Sequence, residues 1–172
     1  MIRISGPERC ELTFDTAGFR VRCERNTPRF SGIATSKKPK LYIASVDDVP
    51  FYVGVTKQSL RSRLRFGWNA KGEGGCYGYA WRHVLTTAFL DVWCHEDPPA
   101  AKPSLDIETI EAEVLFLIRS AGQWPLYQTE IHFHPSTPEH RQIAATIMAR
   151  YAPGLTTGIH MNSRQAGLPG VG

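Results

Sequence analysis

Tyr42 and Tyr52 stand ten residues apart, in Lys40-Leu-Tyr-Ile43 and Phe51-Tyr-Val-Gly54, and Leu60-Arg-Ser-Arg-Leu-Arg65 follows directly. Phenols facing arginines suit attack on a phosphodiester. That reaction needs a base for the attacking water, positive charge on the transition state and help for the leaving oxygen, and one divalent cation supplies part of each. A hard cation such as Mg²⁺ keeps several waters, so a single protein carboxylate is enough to hold it. An arginine grips phosphate through a planar, permanently charged fork. A phenol, with an ordinary pKa of about 10, becomes a base at neutral pH only where nearby cations favour the phenolate. Arg63, Lys57 and the metal are the sources of that field.

The elements that must position these groups follow from pattern. Residues 40–45 and 51–55 are apolar and β-branched and are joined by Asp47-Asp-Val-Pro50, a turn composition, so they predict a hairpin that brings Tyr42 near Tyr52. A helix from about Gln58 to Phe66 carries Leu60 and Leu64 inward and Arg61 and Arg65 on a neighbouring stripe, with Arg63 able to reach the sheet's edge. Residues 84–94 read as a buried strand, and Pro98 to Pro103 break the chain after it. Ser104 is the N-cap candidate of a helix through Ile107, Ile110, Val114, Leu117 and Ala121, ended by Gly122. Alternation from Leu126 to His134 predicts a final strand, and Thr137-Pro138-Glu139 opens a last helix to about Tyr151.

This ordered set resembles the GIY-YIG nucleases. The first family tripeptide is represented by Leu41-Tyr42 with Lys40 in the glycine's place, and the second by Tyr52-Val53-Gly54. Arg63 after Leu60 matches the family arginine, and Glu113 with Phe116 and Leu117, then Pro125 and Gln128, matches the later glutamate and its brace. The likeness covers roughly residues 40–134. It implies an α/β (α+β) fold, a small, mainly antiparallel mixed sheet flanked by helices. It also implies a metal-dependent endonuclease acting on DNA, with Tyr42, Tyr52, Arg63 and Glu113 as catalytic residues. Tyr42 is then the base and Tyr52 a second phenol, while Glu113 holds one Mg²⁺ or Mn²⁺. Lys57, Arg61, Arg65 and Gln128 bind the nucleic acid, Gln128 standing where the family has a bracing asparagine. Glu111 competes with Glu113, since Val114 and Leu115 give it the same apolar spacing. The family often carries a histidine four residues after its arginine, and here that position is Gly67. Tyr77, Tyr79 and His83 are the candidates to replace it. A nucleic-acid-binding module that has lost cleavage is the rival reading.

Charge supports a polyanionic partner. Residues 20–71 hold twelve Lys/Arg against Glu24, Asp47 and Asp48, a surplus of nine in a chain whose net charge is +4, so the remainder carries −5. At 172 residues and 42% hydrophobic content the chain is expected to form one nuclease domain over 37–151, with a basic appendage of two short strands over 1–36 and a disordered tail over 152–172. Residues 69–79, with four glycines, Tyr77 and Tyr79, are read either as a mobile base-stacking loop or as a connection packed on the helix. Cys10, Cys23, Cys76 and Cys94 have no metal-ligand spacing and are expected to be reduced thiols. No apolar run reaches membrane-spanning length and Met1–Gly6 lacks a signal peptide's apolar core, so a cytoplasmic protein without membrane contact is expected, working as a homodimer or with a specificity partner.

Overall fold

The computed structural model describes residues 1–153 except 16, 72–78, 126 and 129. The glycine-rich loop carrying Cys76 and Tyr77, and the expected tail from residue 154 onward, lie outside the described residues. Five strands form one sheet: β1 (Ile4–Phe14), β2 (Phe19–Cys23), β3 (Lys40–Val46), β4 (Val49–Thr56) and β5 (Thr87–His95), in the order β2-β1-β5-β3-β4. Among the described residues every strand pairing is antiparallel, against the expectation of a mainly antiparallel mixed sheet. Among the described residues three α-helices pack on it: α1 (Leu60–Asn69), α2 (Leu105–Ser120) and α3 (Pro138–Met148).

Strand alternation divides the core between the two faces. Tyr42, Ala44, Leu90 and Val92 join Leu60, Leu64 and Trp68 of α1 on one side. Leu41, Ile43, Val53 and Trp93 meet Ile107, Ile110, Val114 and Ile118 of α2 and Ala144 and Ile147 of α3 on the other. Asp47 and Asp48 both have positive φ, 51° and 58°, as a two-residue turn whose twist suits the β3–β4 hairpin demands. Ser59 caps α1 by accepting from the Ser62 N–H, and Thr137 caps α3 in a box with His140. Ser104 occupies the N-cap of α2 but makes no side-chain cap bond. Asp106 instead ties α2 to its neighbours, with His95 Nε2 at 2.9 Å on one oxygen and His140 Nε2 at 3.2 Å on the other.

Three expectations need correction. The N-terminal hairpin is no appendage, because β1 pairs with β5 from Ile4 to Thr13 and forms part of the central sheet. At its middle, Arg9 donates from Nε and Nη2 to the fully buried Asp91 carboxylate, both at 2.9 Å, and Tyr151 Oη donates to the same group at 2.7 Å. Cys10 and Cys23 are direct partners across β1 and β2 and form a disulfide, while Cys94 is a buried free thiol. Their separation of 13 residues carries no signature, and only the hairpin register puts them together. The alternating segment after Pro125 is not a strand in any of its described residues. Side-chain amides satisfy part of the outer edge of β4. Gln128 Oε1 accepts from the Val53 N–H at 3.1 Å, and Gln123 Nε2 donates to the Pro50 carbonyl. Pro50, with no N–H to offer, is tolerated because β4 is an edge strand.

Candidate active site

The hairpin register explains the tyrosine pair. Tyr42 lies opposite Gly54, and Tyr52 lies opposite Ala44, so the two phenols are diagonal neighbours on one face. Their ring centroids are 5.9 Å apart with planes inclined by 36°. Gly54 is there because the Tyr42 ring covers it: a Cβ at that position would lie 2.6 Å from both Cζ and Oη of Tyr42. Gly54→Ala is therefore expected to push the phenol out of place, costing about 1–3 kcal/mol of stability. The loss of nicking should exceed what that destabilisation explains. Denaturant titration and nicking assays on the same preparation check both halves.

Arg63 comes up from α1 on the same side, and its Nε donates to Tyr42 Oη at 3.4 Å. Tyr79 closes the group, its hydroxyl 3.1 Å from that of Tyr42 and its ring edge-on to Tyr52 at 5.4 Å. Tyr42 is wholly buried. Burial pushes its phenol well above the usual range, the Tyr79 phenol adds to this, and Arg63 pulls down without reversing it. Tyr52 is raised by the same burial, by Tyr42 and, more weakly, by Glu111. Arg63 alone therefore does not supply the field that the base role of Tyr42 requires. Lys57, expected to help, is exposed at the mouth of α1.

The structure turns Glu111 inward. It is 3% exposed and its Oε2 has no hydrogen-bond partner. Burial, with the Glu108 and Glu130 carboxylates adding to it, pushes its pKa up to about 8 against the pull of Arg63. Glu113, the expected ligand, is half-buried two positions on, about 200° round the helix. Among the described residues no hydrogen bond or ion pair joins it to Tyr42, Tyr52 or Arg63. The two share the same apolar spacing in sequence, and burial separates them: Val114 and Leu115, which follow Glu111, are buried, whereas Phe116, which follows Glu113, is 63% exposed.

The remaining expected residues divide. Arg61 and Arg65 lie on the outer face of α1, where with Ser62, Phe66 and Lys71 they line a groove of about 680 Å³. A second groove of about 460 Å³ joins them to Arg20 of β2. The Gln128 amide is engaged with backbone, accepting from the Val53 N–H and donating to the Glu130 carbonyl at 2.7 Å, so it braces β4. Lys40, in the family glycine's place, is buried and donates Nζ to the carbonyls of Ser36 and Lys38, a role in holding the loop before β3. His83 is exposed and pairs with Arg82.

A divalent cation fits this site on one observation, the buried and unpartnered Glu111 oxygen among other carboxylates. Among the described residues no three His, Cys, Asp or Glu side chains converge as ligands, so the cation would depend on one carboxylate and water. Among the described residues no helix is long and apolar enough to cross a membrane. Compared with protein-family models, curated proteins and solved structures, the chain matches none.

Proposed function

We propose that the protein is a metal-dependent endonuclease that hydrolyses phosphodiester bonds in DNA, with Tyr42, Tyr52, Arg63 and Glu111 as its reacting group. One observation carries this reading: two phenols, a guanidinium and a buried unpaired carboxylate within electrostatic range of that guanidinium, all set around one hairpin edge. Four such groups have no shared structural purpose, and burying a carboxylate without a partner is costly.

In this mechanism Glu111 would hold a Mg²⁺ or Mn²⁺ ion, which would supply positive charge for the scissile phosphate and acidify water. Arg63 steadies a phosphate oxygen from the opposite side. Tyr42 would take the proton of the attacking water only as a phenolate, the form that Arg63 and the bound cation together would have to favour, and Tyr52 would orient that water or the phosphate. Gln128 keeps the β4 backbone at Val53 fixed beside Tyr52. With DNA as substrate the proposed working compartment is the cytoplasm, and the Cys10–Cys23 disulfide, a bond rare in a reducing cytosol, stands against that placement. Homodimerisation or a specificity partner would supply target choice.

The experiment is plasmid nicking with a Mg²⁺ titration and a chelator control. Cation-dependent nicks support the reading, and a purified, folded protein that binds DNA without cutting it sinks it. That second outcome is the rival, a binding module, and the complete burial of Tyr42 is the feature that favours it.

The basic grooves give a separate expectation. Arg20, Arg61 and Arg65 are exposed and share one groove, whereas Arg22 is already paired with Glu11. Charge reversal at Arg20, Arg61 and Arg65 should weaken DNA binding and reduce the slope of log affinity against log salt by about 2–3, one phosphate contact being worth about 0.9. An unaltered slope would place the DNA on another surface.

A further inference from the structure

Gly67 sits one helical turn after Arg63, and the ring of Tyr79 lies directly against it. A Cβ on Gly67 would be 2.2 Å from Cε2 and 2.6 Å from Cδ2 of that ring, so any side chain at 67 and the phenol at 79 exclude each other. The Tyr79 N–H donates to the Gly67 carbonyl at 3.3 Å, which fixes the approach, and Trp81 packs on the ring at 5.0 Å between centroids. The result is a phenol that is 4% exposed, with its hydroxyl delivered to that of Tyr42.

We infer that Tyr79 is a positioning residue for Tyr42, occupying the space that Gly67 leaves and setting the direction of the Tyr42 hydroxyl. Tyr42 Oη accepts a hydrogen bond from Arg63 Nε, and the Tyr79 hydroxyl 3.1 Å away takes up a second of its hydrogen-bonding directions. The Tyr52 phenol is the remaining neighbour of that hydroxyl, so Arg63 and Tyr79 together set the side from which Tyr52 addresses it. Packing alone does not account for this arrangement, since a phenylalanine at 79 would fill the same volume against Gly67, Trp68 and Trp81 without an oxygen in the cluster. The inference rests on the nuclease reading, and it deepens that reading by naming what takes the place of a side chain on the second turn of α1.

The test uses the full chain with Tyr79→Phe, Tyr42→Phe and wild type in single-turnover nicking across pH. Tyr79→Phe is expected to lower kcat by about 10²-fold, the order that misplacing a reacting group costs, with KM unchanged and the alkaline limb of the pH profile moved. Replacement of Tyr79 by 3-fluorotyrosine, which keeps the ring and the hydroxyl but makes the phenol more acidic, should move that limb with little loss of rate. It also serves if Tyr79→Phe fails to fold. An active wild type whose rate and pH profile are untouched by both replacements overturns the role of Tyr79 alone. A wild type that cannot nick overturns the nuclease reading and this role with it.

Discussion

Tyr42→Phe should abolish most cleavage, lowering the nicking rate by about 10²–10⁴-fold, the range associated with a positioned acid or base. The fold should survive it. The ring that covers Gly54 and meets Tyr52 is retained, and only the oxygen that Arg63 and Tyr79 address is lost. Leaving those two groups without that partner costs about 1–3 kcal/mol, which a thermal melt resolves easily. Tyr52→Phe should act in the same direction. Near wild-type cleavage in both variants, with normal melts, would remove the tyrosines from the chemistry.

The second large effect separates the two glutamates. Glu111→Gln should eliminate cleavage while DNA binding is retained, because the arginines remain. Glu113→Gln should cut normally. A readout independent of activity follows from the Glu111 carboxyl, whose pKa rises from 4.5 to about 8 on folding. Between those values the folded protein holds a proton that the unfolded chain has released, so stability is greatest below pH 4.5 and falls as pH climbs toward about 8. The full penalty, on the order of a few kcal/mol, remains above that pH. Glutamine carries no such proton. Its advantage in melting temperature over wild type should therefore grow from pH 5 to pH 8, and Mg²⁺ should stabilise wild type at pH 8 but not Glu111→Gln. Loss of cleavage in Glu113→Gln alone would turn the helix the other way.

Local pattern carried the hairpin and the helices, because each is decided within its own segment. The β3–β4 pairing is written in two β-branched runs and a two-aspartate turn. The helix α3 is written in Thr137-Pro138 and the spacing of Ala144 and Ile147. What the chain concealed depends on distant partners. Alternation between Leu126 and His134 has the period of a strand, but its described residues form none, and the Gln123 and Gln128 side chains bond the β4 backbone. The N-terminal hairpin looked detachable since nothing within it announces that β5 will pair with its long strand. For Glu111 and Glu113 the deciding information was two positions of helical phase, and the exposed Phe116 counterfeited a buried neighbour.

Asp91 has a bearing on how this chain could be cut or joined to others. Its carboxylate is gripped by Arg9 from the first strand and by Tyr151 just beyond the last helix, so the two extremities of the described fold meet on one charge in the middle of the sheet. Trimming to residues 37–151 would keep every reacting side chain yet strand that anion without its cation, a loss of about 3–5 kcal/mol for a buried pair broken on one side. Evolution or an engineer seeking to graft a DNA-targeting module must therefore append it outside residues 9 and 151, treating everything between as one indivisible cassette.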